Sequence, residues 1–275
     1  MSINKVAIIG QGFVGSALKG AFSKYHKVNT YDKFNEAKST HSGIAEASTG
    51  CDVAFVCVPT PMCPDGSCDT SIVESVCGEI HQDPVIVIKS TVPPGTTTSL
   101  GYANNRPVVF NPEFLLERNA TEDFKNTNRV ILGGHPDYTR KLKQFYVQIF
   151  PQASIIQTQA STAEFVKYLI NCFLATKVSI ANEFHLLCNE SGVDYDKVIE
   201  YATHDDRLGN THFSVPGPDG KLGFGGSCFP KDLNGIIAFA LSKGIEMNTL
   251  KGAWDTNLTV RPDKDWEELK GRAVQ

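Results

Sequence analysis

The stretch Lys5-Val-Ala-Ile-Ile-Gly-Gln-Gly-Phe-Val-Gly15 decides how the first half of the chain folds. Its first five residues form the short apolar run typical of a strand buried in a parallel sheet. Glycines at positions 10, 12 and 15 follow, and a segment with helical spacing comes next. A GxGxxG sequence between a strand and a helix is typical of a turn whose backbone approaches a pyrophosphate. The stretch therefore predicts a βαβ unit that binds a dinucleotide.

A second strand pattern, Val28-Asn-Thr-Tyr-Asp32, ends on an acidic residue that lies 17 residues after Gly15. In such βαβ units an acid near this position accepts hydrogen bonds from the ribose hydroxyls of adenosine. Because a carboxylate there would repel a 2′-phosphate, we predict NAD rather than NADP. The cofactor contacts that we predict are Gly10, Gly12, Phe13, Val14, Gly15, Asp32, Lys33, Thr60 and Thr91.

Further strand-like runs recur at helix-length intervals, at 51–58, 84–90, 108–110 and 129–132. This alternation predicts a doubly wound α/β sheet that binds ligands beyond the carboxyl ends of its strands. Thr60, Thr91 and Glu113 each follow such a run. Glu113 and Glu117 are four residues apart, so in a helix their carboxylates would face the same way. A solvated helix edge is the alternative interpretation of that pair.

A long helix is predicted at the start of the second half. Ser161 and Glu164 have the spacing of a capping box, and apolar side chains continue with helical period to Gly192. We therefore divide the chain into a Rossmann-like NAD-binding domain at 1–157 and an all-helical domain at 158–275, connected by this helix. A helix of this length and apolar character crosses between domains or packs on a copy of itself.

Lys167 and Asn171 lie one turn apart on the predicted long helix. An ammonium group beside a carboxamide can stabilise a developing oxyanion. A solvated lysine on a helix surface is the alternative interpretation. The final segment, 261–275, is charged and shows no evident core of its own.

The stretch Gly223-Phe-Gly-Gly-Ser-Cys-Phe-Pro-Lys-Asp232 carries the candidate nucleophile. Cys228 precedes Pro230 by two residues, and proline is favoured in the first turn of a helix. A thiol at a helix N-terminus with Lys231 nearby ionises more readily than an ordinary cysteine. The alternative interpretation is a buried cysteine in a glycine-rich turn.

Composition excludes several function classes. The chain of 275 residues is 41% hydrophobic and 20% charged, with a net charge of −4 and no long basic run. We therefore expect no nucleic-acid partner and no membrane, and the N-terminus lacks the pattern of a signal peptide. The eight scattered cysteines indicate reduced thiols in the cytoplasm. Cys63 and Cys68 have no further ligands at matching spacing, so we expect no metal.

Taken together, these motifs resemble those of the UDP-glucose/GDP-mannose dehydrogenase family of nucleotide-sugar dehydrogenases. The resemblance extends from Lys5 to about Leu241, and the motifs keep the family's order. They are the glycine turn at 10–15, Thr60-Pro61, Lys-Ser-Thr-Val-Pro at 89–93, Asn-Pro-Glu-Phe-Leu-Leu-Glu at 111–117, Glu-Phe-Val-Lys-Tyr-Leu-Ile-Asn at 164–171, Asp-Arg-Leu-Gly at 206–209, and the cysteine stretch at 223–232.

The resemblance implies oxidation of a sugar C6 alcohol to a carboxylate with two NAD⁺ and no metal. Cys228 would form a thiohemiacetal and then a thioester, and Glu117 would order the water that hydrolyses it. Lys167 and Asn171 would stabilise charge on the C6 oxygen, with Thr91 and Asp232 in supporting positions. Implied substrate contacts are Glu113, Phe114, Leu115, Lys167, Asn171, Arg207, Phe224 and Gly225.

UDP-glucose is the substrate that the resemblance favours, and GDP-mannose is the alternative. The family's third, nucleotide-binding domain is missing after Gln275, which is consistent with a natural short form or a truncated one. A catalytically impaired short form that acts as a nucleotide-sugar-binding or assembly protein is therefore a further alternative. We expect a homodimer formed through the long helix.

Overall fold

The computed structural model describes residues 3–275. The chain forms two compact units: residues 3–60 with 69–167, and residues 61–68 with 168–275. Across 3–275, no helix combines the length and the apolar character that a membrane span requires.

The first unit contains a seven-stranded sheet and six helices. The strands are β1 Lys5–Ile9, β2 Lys27–Tyr31, β3 Val53–Val56, β4 Val85–Ile88, β5 Val108–Phe110, β6 Arg129–Gly133 and β7 Ser154–Thr158. The helices are α1 Phe13–Phe22, α2 Ile44–Ser48, α3 Ser71–Glu79, α4 Thr96–Ala103, α5 Ala120–Lys125 and α6 Pro136–Ile149. The predicted α/β class is confirmed.

The strand order is β2-β1-β3-β4-β5-β6-β7. All neighbouring strands are parallel except β5 and β6, which pair antiparallel through Phe110 and Gly133. The carboxyl ends of β1–β5 therefore share one edge of the sheet, and the end of β6 lies at the other. Alternate residues enter separate cores, Val6 and Ile8 in one and Ala7 and Ile9 in the other, as the pleat requires.

The second unit is helical. Its helices are α7 Ala160–Glu190, which begins in the first unit, α8 Tyr195–Ala202, α9 Phe229–Ser242 and α10 Asn248–Val260. The predicted long helix is confirmed. Within the final segment, 261–275, Trp266 is 1% exposed and its ring lies 5.1 Å from that of Trp254 of α10, so this segment packs on α10.

The predicted capping box at Ser161 is wrong. Helix α7 begins at Ala160, so Ser161 lies inside it. The carboxylate of Glu164 accepts instead from the backbone N–H of Gly95 at 2.6 Å and of Thr97 at 2.8 Å. These groups begin α4, where unpaired N–H donors and the helix dipole favour a buried carboxylate. Glu164 therefore caps a different helix from its own.

Candidate active site

The glycine turn has the close packing that its sequence predicts. Gly10 has φ +91°, and a Cβ there would lie 2.3 Å from the Cys57 carbonyl oxygen. A Cβ on Gly15 would lie 1.9 Å from the Gly10 carbonyl oxygen, whereas one on Gly12 meets nothing within 4 Å. Gly10 and Gly15 are thus needed for the turn itself. Gly12 presents open backbone at the start of α1, as a pyrophosphate requires.

Asp32 directly follows β2 and fixes the turn from the side. Its Oδ2 accepts from the Gln11 N–H at 2.6 Å, and its Oδ1 accepts from the Phe34 N–H at 2.9 Å. Lys33 is exposed beside it. Sequence reasoning missed Lys38, whose Nζ donates to the Gln11 carbonyl at 3.0 Å. Its signal was a basic side chain shortly after the predicted ribose-binding acid.

A cavity of about 470 Å³ adjoins this turn. Its lining includes Gly12, Phe13, Lys38, Glu117 and Arg118. Val14, the next residue of α1, follows Phe13 in the same helical turn. The open Gly12 backbone, the helix N-terminus and Lys38 together suit the phosphates of a dinucleotide. Glu117, predicted to activate water, therefore lies in the same cavity as the glycine turn.

Three predicted residues follow the carboxyl ends of neighbouring strands. Thr60 comes after β3, Thr91 after β4 and Glu113 after β5, and all three are buried. The Ser90 hydroxyl donates to the Val58 carbonyl at 2.6 Å, which links the loops after β3 and β4. The sheet thus gathers these side chains at one edge of the first unit.

Glu113 and Glu117 do not share a helix. Glu113 lies in the loop after β5, and Glu117 opens a short 3₁₀ turn, Glu117–Asn119. Glu113 is held by Lys167, whose Nζ donates to its carbonyl at 2.6 Å and to its Oε1 at 3.2 Å. Because both side chains are buried, the solvated-edge interpretation of Glu113 and the solvated interpretation of Lys167 are wrong.

Phe114 and Leu115, which follow Glu113, contribute to the surroundings of Lys167. The Leu115 N–H donates to Glu113 Oε2 at 2.7 Å. The Phe114 ring lies 5.3 Å from Lys167 Nζ and 4.7 Å from the Arg129 guanidinium carbon. Both distances are within the range of cation–π attraction. Lys167 is therefore fixed by a carboxylate, a carbonyl and an aromatic face.

In the second unit, Cys228 is the N-cap residue of α9, as its position before Pro230 predicts. Its carbonyl accepts from the Asp232 N–H at 2.9 Å, and its sulfur lies 3.8 Å from the Ser227 hydroxyl. The side chain is partly exposed. Cys228 is therefore accessible at a helix N-terminus, and the interpretation as a buried core cysteine is wrong.

Asp232 connects two other candidate residues. Its Oδ2 accepts from Asn171 Nδ2 and its Oδ1 accepts from Lys231 Nζ, both at 2.6 Å. Burial lowers the pKa of Lys231, but the charges of Asp232, Cys68 and Cys228 outweigh it and raise that pKa well above its usual range. Lys231 therefore stays an ammonium that interacts electrostatically with Cys228.

The glycine-rich segment before Cys228 wraps around side chains that sequence reasoning missed. Asn257 of α10 accepts from the Phe224 N–H at 2.7 Å and donates to its carbonyl at 2.9 Å. A Cβ on Gly225 would lie 2.4 Å from Asp265 Oδ1 and 2.5 Å from Arg261 Nη2. Gly225 thus permits the close approach of the Arg261–Asp265 ion pair, and no local pattern marks Asn257 or Arg261 for this role.

Arg207 is the most exposed of the predicted substrate contacts, and it pairs with Asp205 at 2.5 Å. Within 3–275, no group of three or more His, Cys, Asp or Glu side chains could hold a metal ion.

The glycine turn of the first unit, with its open backbone at a helix N-terminus and an acid after the second strand, is typical of NAD-dependent oxidoreductases. Sequence profiles agree: the NAD-binding domain of the UDP-glucose/GDP-mannose dehydrogenase family matches residues 32–150, and its central domain matches 161–259. The chain therefore belongs to the UDP-glucose/GDP-mannose dehydrogenase family, and its first unit carries that family's NAD-binding domain.

Individual relatives agree with the assignment. The UDP-glucose 6-dehydrogenase of Haloferax volcanii is 30% identical over 302 residues, covering 92% of this chain and 69% of that protein. The UDP-glucose 6-dehydrogenase of Pseudomonas aeruginosa is 36% identical over 238 residues, covering 80% of this chain and 51% of that protein. A solved UDP-glucose dehydrogenase from Pyrobaculum islandicum superposes with a TM-score of 0.83 at 31% identity, covering 94% of this chain and 68% of that one. The chain thus spans between about half and about two thirds of these relatives.

Proposed function

We propose that the chain oxidises the C6 alcohol of UDP-glucose to the carboxylate of UDP-glucuronate, with NAD⁺ as the oxidant. The observation that carries the proposal is the shared carboxylate of Asp232, which binds Asn171 and Lys231 at the start of the helix that Cys228 caps. A buried, charged arrangement of this kind at a thiol is costly to maintain and is typical of catalytic sites.

Bound NAD⁺ would accept one hydride in each of two oxidation steps. In the proposed role of Lys167 and Asn171, their N–H groups stabilise the C6 oxygen while its proton passes to a water molecule, and the C6 carbon, having given up its hydride, becomes an aldehyde. The Cys228 sulfur then adds to the aldehyde carbon and forms a thiohemiacetal. Loss of a second hydride from this adduct leaves a thioester on Cys228.

Hydrolysis completes the reaction. A water molecule, activated in our proposal by Glu117 with support from Thr91, adds to the thioester carbonyl and releases the carboxylate product and the Cys228 thiol. The proposed binding contacts are those predicted from the sequence. They are Gly10, Gly12, Phe13, Val14, Gly15, Asp32, Lys33, Thr60 and Thr91 for NAD, and Glu113, Phe114, Leu115, Lys167, Asn171, Arg207, Phe224 and Gly225 for the nucleotide sugar.

The proposal assigns NAD binding to a domain at 1–157 and the nucleophile to a helical domain at 158–275. A cytoplasmic location suits it, because a reducing compartment preserves the Cys228 thiol.

A homodimer through α7 is part of the proposal. Large apolar side chains stay exposed along this helix at helical spacing: Leu169, Phe173, Ile180, Phe184 and Leu187. A second copy of the same helix would cover such a stripe. Phe173→Glu should shift the sedimentation coefficient to that of a monomer, whereas Asn189→Glu, which adds the same charge to the same helix, should not. Identical sedimentation of Phe173→Glu and wild type would contradict the dimer.

The activity is tested by following NADH formation with UDP-glucose and, separately, with GDP-mannose. We expect two NADH per UDP-glucose consumed by wild type, and at most one per UDP-glucose with Cys228→Ser, because Cys228 acts only after the first hydride transfer. Glu117→Gln should accumulate a sugar-nucleotide adduct on the peptide that contains Cys228, detected by mass spectrometry. If only GDP-mannose is oxidised, GDP-mannose replaces UDP-glucose as the proposed substrate. If the nucleotide sugar binds but neither an adduct nor NADH forms, a nucleotide-sugar-binding protein is favoured.

A further inference from the structure

Lys89 is a lysine buried at the point where β4 ends. Only 4% of its surface is exposed, and its Nζ donates to Asn111 Oδ1 at 3.1 Å and to the Pro112 carbonyl at 3.3 Å. Burying an amine is unfavourable unless its hydrogen-bond partners compensate for the lost water. Both partners of Lys89 belong to the loop that follows β5, which leads to Glu113.

Asn111 makes three further hydrogen bonds besides the one from Lys89. Its Oδ1 accepts from the Tyr146 hydroxyl at 2.5 Å, and its Nδ2 donates to the Ile131 carbonyl at 2.8 Å. Its own N–H donates to the Ile88 carbonyl at 2.8 Å. Lys89 and Asn111 therefore join β4, β5, β6 and α6 at the start of this loop.

Two buried amines bind successive carbonyls of the loop. Lys89 donates to the carbonyl of Pro112, and Lys167 donates to the carbonyl of Glu113 at 2.6 Å. Peptide planes are rigid, so the position of one carbonyl restricts the next. We propose that Lys89 is a positioning residue that holds the loop 111–115 where Glu113 can orient Lys167, which extends the function proposed above for Lys167.

The hydrogen-bond count agrees with this role in either protonation state. An ammonium has three N–H groups and a neutral amine has two, and Lys89 has two carbonyl-type acceptors. Burial lowers the pKa of Lys89 to about 8; the charges of Cys57 and Glu113 oppose this shift, and that of Lys167 adds to it. Lys89 therefore keeps both bonds whether or not it carries the third proton.

Amide hydrogen exchange tests the positioning role without reference to turnover. Lys89→Met should accelerate exchange at least tenfold in 113–116, where the Leu115 N–H donates to Glu113 Oε2, and leave β1 and β3 unchanged. Lys177→Met is the matched control, because Lys177 is also buried and donates to the carbonyls of Leu208 and Gly209. The Lys177→Met substitution should accelerate amide exchange at 208–210 and nowhere else. Unchanged exchange at 113–116 in Lys89→Met, or an equal rise throughout the first unit, overturns the proposal.

Kinetics supply a second measurement. Lys89→Met should lower kcat with UDP-glucose at least tenfold while leaving the KM for NAD⁺ within twofold. A cavity of about 260 Å³ is lined by Lys89, Asn111, Glu113 and Tyr146, so ethylammonium should be able to enter it in the Lys89→Ala variant. The added amine should then raise kcat and, at the same time, slow amide exchange at 113–116. Restored rate without restored exchange protection overturns the positioning role. If wild type shows no turnover, the proposed function fails, and the exchange measurement still decides the role of Lys89.

Discussion

Asn171 donates from Nδ2 to Asp232 Oδ2 at 2.6 Å, across 61 residues of sequence. The other oxygen of the same carboxylate accepts from Lys231. Helices α7 and α9 are therefore joined within the second unit by one buried anion. Because Asp232 is 1% exposed, its charge is compensated by these donors rather than by water.

Asp232→Asn should destabilise the second unit. The substitution removes the charge that compensates Lys231 and can place an amide N–H against existing donors, at a cost of about 2–4 kcal/mol. Both tryptophans, Trp254 and Trp266, belong to the second unit, so their fluorescence during urea unfolding reports its stability. Asp255→Asn, at an exposed site on α10, is the control and should change the unfolding free energy by less than about 0.5 kcal/mol. Equal losses in both variants would contradict the role of Asp232.

Local patterns predict the parts of this protein whose partners are near in sequence. The strand, glycine turn and Asp32 lie within one βαβ unit, and Cys228 lies two residues before the proline in the first turn of its helix. The capping role of Glu164 depends on Gly95 and Thr97, which lie 69 and 67 residues away. No period or motif in the sequence indicates such distant donors. The antiparallel direction of β6 is equally absent from the sequence, because an apolar strand reads the same in either direction.

Gly12→Ala and Gly15→Ala should separate cofactor binding from folding. A methyl group on Gly12 meets nothing within 4 Å, so the variant should fold with wild-type stability and bind NAD⁺ at least tenfold more weakly, because the methyl blocks the pyrophosphate. A methyl group on Gly15 would overlap the Gly10 carbonyl oxygen and should destabilise the turn itself. Calorimetric titration and amide exchange of β1 measure the two effects. Unaltered NAD⁺ affinity in Gly12→Ala would show that the cofactor does not approach there.

Glu164→Gln should loosen the start of α4. The carboxylate accepts from two backbone N–H groups and from the Thr97 hydroxyl at 2.6 Å, whereas a carboxamide is a neutral, weaker acceptor. We expect a loss of about 1–3 kcal/mol, seen as faster amide exchange at 95–99. Glu190→Gln, at the exposed end of the same helix, should leave this exchange unchanged. If both variants behave alike, Glu164 is not the cap of α4.

Lys89 should make the stability of the first unit depend on pH. Burial lowers its native pKa from 10.5 to about 8, so above pH 8 the unfolded chain binds a proton that the native chain has released, and stability rises with pH. The Cys57 thiol acts oppositely above pH 9, since burial raises its pKa from 9.0 to about 12. Between pH 7 and pH 9, the unfolding free energy of wild type should rise by on the order of 1 kcal/mol more than that of Lys89→Met. Urea unfolding followed by circular dichroism measures both. Lys143→Met, at an exposed site on α6, is the control and should keep the wild-type pH dependence. If the unfolding free energy of Lys89→Met followed the same pH dependence as that of wild type, the lowered pKa of Lys89 would be contradicted.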